Sequence, residues 1–246
     1  MKKEYSLAFV VVIFILLSYL PLFICNNETI KLLTREDSYY EDATALLYLM
    51  GGGLLFFQFF KLRAKDRSGD KKGETNFFIL LLGLFLIFCC LEEISWGERI
   101  FRFHIPGKLA QINEQKETNF HNLFLFSRYD RHEHLKTGIA KWFEASRLLS
   151  LFWFAFCVLI PFANLISRRF RQFFSTIKLP IVPFWLGMIF MFNYITAKTV
   201  QWILHPNYLQ SLTEIKEAMV SFLFLMVSLE FIPKFRQHFT PIFRNL

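Results

Sequence analysis

Residues 77–91 read FFILLLGLFLIFCCL, an apolar run of fifteen residues, and residues 92–101 continue as EEISWGERIF with no turn signal between them. A helix of fifteen residues rises about 22 Å, which is most of a hydrocarbon layer roughly 30 Å thick. The run therefore predicts a membrane-spanning helix. Two adjacent carboxylates, Glu92 and Glu93, lie at its end, and Glu98 follows less than two turns later.

The same pattern of apolar runs between charged segments extends over the whole chain. The 246 residues are 54% hydrophobic and 19% aromatic, and apolar runs of this length are typical of polytopic helical membrane proteins. We predict an all-α fold and a single integral membrane domain over residues 1–246. Its six spans are predicted at about 6–25, 42–60, 77–95, 147–166, 180–204 and 215–233.

The first apolar run, SLAFVVVIFILLSYLPLFI, has the position of a signal peptide. It lacks a small-residue cleavage site, however, and it is longer than the apolar core of a usual signal peptide. We therefore expect it to be retained as the first span.

Basic residues indicate the orientation of the predicted spans. Four segments, before span one and after spans two, four and six, are rich in lysine and arginine. They contain Lys2, Lys3, Lys61, Arg63, Lys65, Arg67, Lys71, Lys72, Arg168, Arg169, Arg171, Lys178, Lys234, Arg236 and Arg244. With six spans these segments all lie on one side, and the positive-inside rule makes that side cytoplasmic. Both termini are therefore predicted in the cytoplasm, and the loop 96–146 is predicted outside.

The net charge of +8 does not indicate nucleic-acid binding, because the basic residues are divided among separate loops. Four cysteines lie in or at the ends of apolar runs without a metal-ligand spacing, so we expect them to fill the core. The glycines at 51–53 predict close helix packing in the second span. No Lys-Ser/Thr pair follows them, so no phosphate-binding loop is predicted.

Acidic residues at the outer level of the spans are the main candidate site residues. If Lys71 and Lys72 mark the inner edge of the third span, Glu92 and Glu93 fall within the outer part of the membrane. A charge at the centre of the hydrocarbon costs about 2.5–3.5 kcal/mol, and less toward the interface. Such groups normally face the bundle interior and have partners. The alternative is a helix end at the interface, with these carboxylates in headgroup water and paired with a nearby arginine.

Other spans carry polar groups at the same level. Glu217 precedes an apolar run that is too short to cross alone, and Glu214 lies on the same helix face because the spacing is i, i+3. Glu41 opens the second span, and Lys198 interrupts the fifth. We therefore predict that polar groups from four spans meet near the outer surface, with Lys198 as a counter-ion to one of the glutamates.

The outer loop contains a second polar motif, NEQKETNFHN, at residues 113–122. Glu117 and His121 are i, i+4 and would share a face on a helix, a common arrangement of two metal ligands or of an acid–base pair. The amides that surround them are Asn113, Gln115, Asn119 and Asn122. The alternative is an ordinary polar surface loop.

The two motifs, EEISWGE at residues 92–98 and NEQKETNFHN at residues 113–122, resemble the motif pair of an uncharacterised family of bacterial multi-spanning membrane proteins. The family pattern is E-E-x-S-W-G-Q followed by N-x-Q-x-E-x-N-x-H-N. Glu98 takes the place of the family's glutamine, which leaves the role of that position open. The resemblance implies a shared site in a protein of the bacterial inner membrane, and it names no reaction.

Two neighbouring features have simpler interpretations. Trp96 is typical of the aromatic belt at a membrane interface. The segment RYDRHEHLK, at residues 128–136, contains Asp130, His132 and His134 at a spacing that suits a metal only weakly. We expect this segment to be a solvated loop.

The first functional hypothesis is a metal-dependent hydrolase at the outer leaflet. The predicted ligands are Glu93, Glu117, His121 and Glu217, and the predicted bases or extra ligands are Glu92, Glu98 and Glu214. Oxygen-rich ligation with one imidazole suits Zn, Mn, Fe or Mg, and a metal-activated water would attack a lipid or lipid-linked substrate. A di-iron oxygenase would need more histidines on the spans.

Two alternatives stay open. In the first, the polar groups hold the outer loop on the bundle of a non-catalytic assembly or sensor subunit. In the second, the acids are proton or cation sites of a transporter, although a transport path more often has polar groups through the midplane and paired repeats. Membrane lipids are the expected partners in each case.

Overall fold

The computed structural model describes residues 2–34, 38–67, 75–103, 105–132, 134–204 and 209–233. These residues form helices and loops without a β-strand, and two isolated β-bridges occur within residues 113–135. The predicted all-α fold class is confirmed. Five of the predicted orientation signals lie outside the described residues: Lys71, Lys72, Lys234, Arg236 and Arg244.

The helices follow the apolar runs of the sequence. In chain order they are α1 (Lys2–Tyr19), α2 (Pro21–Ile24), α3 (Asn27–Thr34), α4 (Tyr39–Arg67), α5 (Phe77–Glu93), α6 (Glu98–Phe101), α7 (Gly107–Ala110), α8 (Ala145–Trp153), α9 (Ile160–Ile166), α10 (Arg168–Thr176), α11 (Phe184–Leu204) and α12 (Leu209–Glu230). Short 3-10 turns, Ser95–Gly97 and Gly138–Phe143, precede α6 and α8, and a π-helical segment, Phe154–Leu159, joins α8 to α9. Each of the six predicted spans therefore coincides with helical structure.

Three helical stretches of the described residues are long and apolar enough to cross a membrane. They are Leu7–Ile24, Ala145–Ile166, and the stretch Asn27–Arg67, of which the structure describes α3 and α4. The helices α5, α11 and α12 contain 17, 21 and 22 residues, which correspond to about 25–33 Å of helix. These lengths are close to the thickness of a hydrocarbon layer, roughly 30 Å.

The helices α4, α5 and α12 form the centre of the bundle. α4 packs along both α5 and α12, and α11 packs against α12 and α1. The large side chains at the centre are buried, among them Leu55, Leu86, Phe190 and Phe224. The rings of Phe190 and Phe224 lie 5.3 Å apart in an edge-on arrangement, which is a favoured geometry for aromatic pairs. Interlocking side chains of this size fix how the helices sit against one another.

Glycines in α4 allow that helix to approach its neighbours closely. A Cβ atom on Gly51 would lie 3.1 Å from Leu86, and one on Gly52 would lie 2.9 Å from Ile87. A Cβ atom on Gly53 would meet no atom within 4 Å. The predicted close packing therefore holds for the first two glycines of the run and not for the third.

A closer approach occurs between α11 and the π-helical segment. A Cβ atom on Gly187 would lie 1.9 Å from the carbonyl oxygen of Cys157, so only glycine fits at this position. Pro161 follows Cys157 by four residues and has no amide hydrogen. The Cys157 carbonyl consequently lacks its usual helical donor, and it is directed toward α11 instead.

Two buried hydrogen bonds connect distant helices. The Tyr19 hydroxyl of α1 donates to Asn193 Oδ1 of α11 at 2.8 Å, and the Thr34 hydroxyl of α3 donates to Ser211 Oγ of α12 at 2.7 Å. Polar groups in an apolar interior need such partners. Asn193, which interrupts the fifth apolar run, is thereby accommodated in the core.

Candidate functional site

The first motif begins where α5 ends. Glu92 and Glu93 occupy the last turn of α5, and the chain then turns through Ser95, Trp96 and Gly97, whose φ angles are 46°, 55° and 81°. Left-handed φ angles are uncommon for residues other than glycine and cost free energy. The side chains of Ser95 and Trp96 both make hydrogen bonds that hold this turn.

The Glu92 carboxylate connects α5 to the outer loop. Its Oε2 atom accepts hydrogen bonds from the backbone N–H groups of Phe120 and His121, each at 2.8 Å. Its Oε1 atom accepts a hydrogen bond from the indole N–H of Trp96 at 2.6 Å. Glu92 is only 6% exposed, and a buried carboxylate is costly unless it has such donors. Glu92 therefore anchors the second motif on the end of α5.

Ser95 and Glu98 of the first motif also bind the second motif. The Ser95 hydroxyl donates to Glu117 Oε2 at 2.6 Å, and Asn119 Nδ2 donates to the same oxygen at 2.8 Å. Glu98 Oε2 accepts hydrogen bonds from the backbone N–H and the hydroxyl of Thr118, at 2.8 and 2.7 Å. The two motifs that the sequence analysis singled out are therefore in direct contact.

Residues 113–122 form a compact loop. The Asn113 side chain accepts hydrogen bonds from the backbone N–H groups of Gln115 and Glu117 through Oδ1, and it is 2% exposed. Asparagine side chains that bond to the following backbone favour turns over helices. Asn122 donates to the Gln115 side chain and closes the loop on its other side.

Glu117 and His121 do not share a helix face, so the helical arrangement expected for this pair is wrong. The segment between them is a loop in the structure. Glu117 receives hydrogen bonds from Ser95 and Asn119, whereas His121 Nδ1 lies 3.3 Å from Glu92 Oε2. The two side chains therefore contact different groups of the site.

The His121 ring is oriented by Glu92. Its Nδ1 atom faces the carboxylate, so Nε2 is directed away from it, and the His121 side chain is 38% exposed. A carboxylate on one ring nitrogen fixes the tautomer and the orientation of the ring. This geometry could hold a ligand at Nε2.

Aromatic rings cover the contact between α5 and the outer loop. The Trp96 ring lies 6.0 Å from the Phe88 ring and 5.7 Å from the Phe120 ring, and both pairs are edge-on. Such pairs contribute about 0.5–1.5 kcal/mol beyond their buried area. Trp96, which we predicted to be an interfacial belt residue, thus packs between α5 and the loop in addition to binding Glu92.

A second group of carboxylates lies between α4, α5 and α12. Glu93 of α5 is within electrostatic range of Glu41 of α4 and of Glu214 and Glu217 of α12. Each of the four residues is partly buried. Lys216 Nζ lies 4.0 Å from Glu217 Oε1 and supplies a positive charge. Acids from three helices therefore lie within electrostatic range of one another.

The predicted metal ligands are distributed over both groups. Glu93 and Glu217 belong to the carboxylates between the helices, whereas Glu117 and His121 contact the first motif. In the part of the chain that the structure describes, no three His, Cys, Asp or Glu side chains lie close enough together to hold a metal ion. The structure therefore does not assemble the predicted ligand set.

Lys198 lines a cavity of about 680 Å³ between the outer loop, α8, α11 and α12. Its Nζ atom donates to Gln201 Oε1 at 3.0 Å and lies 5.9 Å from the centre of the Tyr194 ring. Glu144, from the outer loop, is a carboxylate within electrostatic range of Lys198. The counter-ion predicted from the sequence is instead a glutamate of the spans.

Glu144 lies directly before α8 and is bound by two residues of its first turn. Arg147 Nε donates to Oε2 at 2.8 Å, and the Ser146 hydroxyl donates to Oε1 at 3.0 Å. Burial raises the pKa of Glu144, but these hydrogen bonds and the positive charges of Arg147 and Arg128 together outweigh burial and hold the pKa below its ordinary value. Glu144 therefore carries its negative charge at neutral pH.

Sequence reasoning missed several residues that the structure places at the site or the cavity. They are Thr118, Arg128, Lys136, Lys141, Glu144, Arg147 and Lys216. Lys216 was detectable as a cation next to an apolar run, where cations are expensive and usually have a function. The other positions come together only through the fold.

No family model, curated protein or solved structure matches the chain.

Proposed function

We propose that the chain is a multi-pass protein of the bacterial inner membrane, with six spans, cytoplasmic termini and an outer loop at 96–146. Its apolar surface supports this placement. Only 22% of Leu7–Ile24 and 17% of Ala145–Ile166 are buried inside the protein, and Ile166 and Trp202 are 67% and 79% exposed. Extended apolar surfaces are unfavourable in water, whereas the hydrocarbon of a bilayer accommodates them.

Within this protein the two motifs serve a non-catalytic role, in which they hold the outer loop on the end of the bundle of an assembly or sensor subunit. The observation that carries this proposal is the bonding of Glu92, whose two oxygens accept N–H groups from Trp96, Phe120 and His121. A general base must be within reach of the substrate proton. For Glu92 to act as a general base, the N–H groups of Trp96, Phe120 and His121 would first have to break their hydrogen bonds to it. The loop would then detach from the end of α5.

Glu98 supports the same role. Its Oε2 atom is occupied by the backbone N–H and the hydroxyl of Thr118, so it fixes the loop at a second point. Hydrogen bonds to charged groups contribute about 1.5–3 kcal/mol each. A loop held in this way would present one constant surface to a partner protein or a lipid on the outer side.

A second candidate is the metal-dependent hydrolase acting on a lipid or lipid-linked substrate. The observation in its favour is His121, whose Nδ1 faces Glu92 while the ring is partly exposed. Histidines that ligate metals commonly have a carboxylate on the other ring nitrogen. In this candidate His121 and Glu117 would bind Zn, Mn, Fe or Mg, and the side chains would have to shift from the described arrangement.

Elemental analysis of the detergent-purified protein separates the two candidates. The variants are His121→Ala and Glu117→Gln, and the matched control is His132→Ala, an exposed histidine of the same outer loop. The assembly role predicts no stoichiometric Zn, Mn, Fe or Mg that depends on His121 or Glu117, so the three variants should have the same metal content as the wild-type protein.

One metal ion per chain in the wild-type protein would reverse this conclusion if both site variants lost it and His132→Ala kept it. In that case the hydrolase would become the better account. A metal that all variants retain would lie elsewhere and would leave the assembly role in place.

A further inference from the structure

The cavity that contains Lys198 is strongly basic. Among the described residues that line it, six side chains are cationic and one, Glu144, is acidic. The cationic residues are Arg128, Lys136, Lys141, Arg147, Lys198 and Lys216. Glu144 is bound to Arg147 at 2.8 Å, and Lys216 Nζ lies 4.0 Å from Glu217 Oε1, so these two carboxylates offset part of this charge. The cavity wall therefore carries a net positive charge.

These cations come from separate elements and converge on one space. Lys198 of α11 is within electrostatic range of Lys216 of α12, Arg147 of α8 and Arg128 of the outer loop. Like charges that are brought together repel one another. Clefts lined by one sign of charge concentrate ligands of the opposite sign, so the arrangement indicates an anion as the ligand.

The same cavity has an apolar wall. Its large apolar side chains are Trp142, Leu151, Trp153, Phe154, Met191 and Leu212. Trp153 is 4% exposed, whereas Trp142 is 57% exposed, so the wall extends from the surface into the bundle. A small inorganic anion would need no such wall. The volume of about 680 Å³ lies within the usual range of ligand pockets, about 300–1,000 Å³.

We propose that this cavity binds an anionic phospholipid, with its phosphate on the lysines and arginines and its acyl portion against the tryptophans. Arginine and lysine bind phosphate oxygens through charge-assisted hydrogen bonds. A lipid-linked phosphate offers the same chemistry. The inference rests on the membrane placement in the proposed function, and it uses none of the residues that hold the two motifs together.

The test is equilibrium binding of short-chain phosphatidylglycerol to the detergent-purified full chain, measured by native mass spectrometry. Phosphatidylcholine of the same chain length and inorganic phosphate are the comparison ligands. We expect phosphatidylglycerol to bind the wild-type protein at least about tenfold more tightly than phosphatidylcholine. Both lipids carry the phosphate, but the quaternary ammonium of phosphatidylcholine is repelled by the cationic wall, whereas phosphatidylglycerol has a net negative charge.

Variants then locate the site. Lys198→Gln and Arg128→Gln should each weaken phosphatidylglycerol binding about tenfold. Lys108→Gln, an exposed lysine of the outer loop that does not line the cavity, should leave it unchanged. Size-exclusion profiles and phosphatidylcholine binding check that each variant is folded.

Equal affinity of the wild-type protein for the two lipids would overturn the proposal without reference to any variant. An equal loss in Lys108→Gln would also overturn it, because binding would then reflect surface charge in general. If inorganic phosphate bound as tightly as phosphatidylglycerol, the acyl portion would contribute nothing to binding. The lipid would then be excluded as the source of the phosphate. None of these results bears on the docking of the loop by Glu92.

Discussion

The position of Glu92 at the carboxyl end of α5 has an electrostatic cost. The C-terminal end of a helix carries a partial negative charge, so a carboxylate there is disfavoured, and partial burial adds to the cost. Three N–H groups, from Trp96, Phe120 and His121, offset both effects. At this position the carboxylate attaches the outer loop to the end of α5.

Glu144 gives a prediction for the pH dependence of stability. Its pKa in the folded protein lies below the ordinary value, so its stabilising contribution is present above the unfolded-state pKa of about 4.3. The contribution is lost as the pH falls through the lower folded-state pKa. Glu144→Gln should therefore reduce the melting temperature at pH 7 by a few degrees, and the difference from wild type should shrink in acid below pH ~4.3.

Thermal unfolding in detergent over the range from neutral to acid pH measures this difference. Glu28→Gln, an exposed acid of α3, is the control and should match the wild-type protein throughout. A difference between Glu144→Gln and wild type that stays constant or grows toward acid pH would contradict the assignment.

At the scale of secondary-structure elements, the helices were predictable and the outer loop was not. Apolar runs such as 77–91 require helices because an apolar environment leaves backbone groups no external partners. The loop 113–122 depends on contacts with residues distant in the sequence, and on left-handed backbone at Ser95 and Trp96 that no local pattern indicates. The motif residues could be singled out as a group, but their mutual bonding could not be foreseen.

For a related reason, the basic cavity could not be predicted from the sequence. Its cations lie on the outer loop, α8, α11 and α12, and no short motif contains more than a few of them. Lys198 was singled out because it interrupts an apolar run. Its expected partner was a glutamate of the spans, whereas the fold places it beside Lys216, Arg147 and Arg128.

The contact between α11 and the π-helical segment gives a prediction at this scale. Gly187→Ala would place a methyl group 1.9 Å from the Cys157 carbonyl oxygen, so the two backbones must separate. Overpacking of this kind costs about 1–3 kcal/mol and occasionally more. The melting temperature of the detergent-purified variant should therefore fall clearly below that of the wild-type protein.

Gly53→Ala is the matched control, because it adds the same methyl group to a helical glycine with no atom within 4 Å. Alanine is the better helix former by about 0.5–1 kcal/mol, so this variant should be as stable as wild type or slightly more so. If the two variants melted at the same temperature, the close approach of α11 would be refuted.

At the scale of the whole molecule, apolar side chains are exposed along the helices, and several groups of polar side chains lie at helix ends and in the outer loop. The carboxylates between α4, α5 and α12, the docked loop and the basic cavity all involve residues of the predicted outer side. Carboxylates of α4, α5 and α12 lie within electrostatic range of one another, and their depth relative to a membrane stays a prediction. Glu92 and Glu117 instead bind residues of the two motifs.

The proposed six-span topology predicts where reporter enzymes will be active. Alkaline phosphatase, which requires export for activity, should be active when fused after Lys108 and inactive when fused after Lys65. A cytoplasmic reporter should show the opposite pattern at the same two positions. The prediction follows from the basic segments on the inner side. Activity of alkaline phosphatase at Lys65 would show that the orientation is reversed.

The docking of the outer loop by Glu92 is tested most directly by hydrogen–deuterium exchange of the detergent-purified wild-type protein and its Glu92→Gln variant. We predict that the amides of Phe120 and His121, which donate to Glu92 at 2.8 Å, are protected in the wild-type protein. In the variant their exchange should be faster by about tenfold or more, while Glu28→Gln leaves it unchanged. If these amides exchanged at the rate of an unstructured peptide in the wild-type protein, or were equally protected in a folded Glu92→Gln variant, the loop would not be held by this carboxylate.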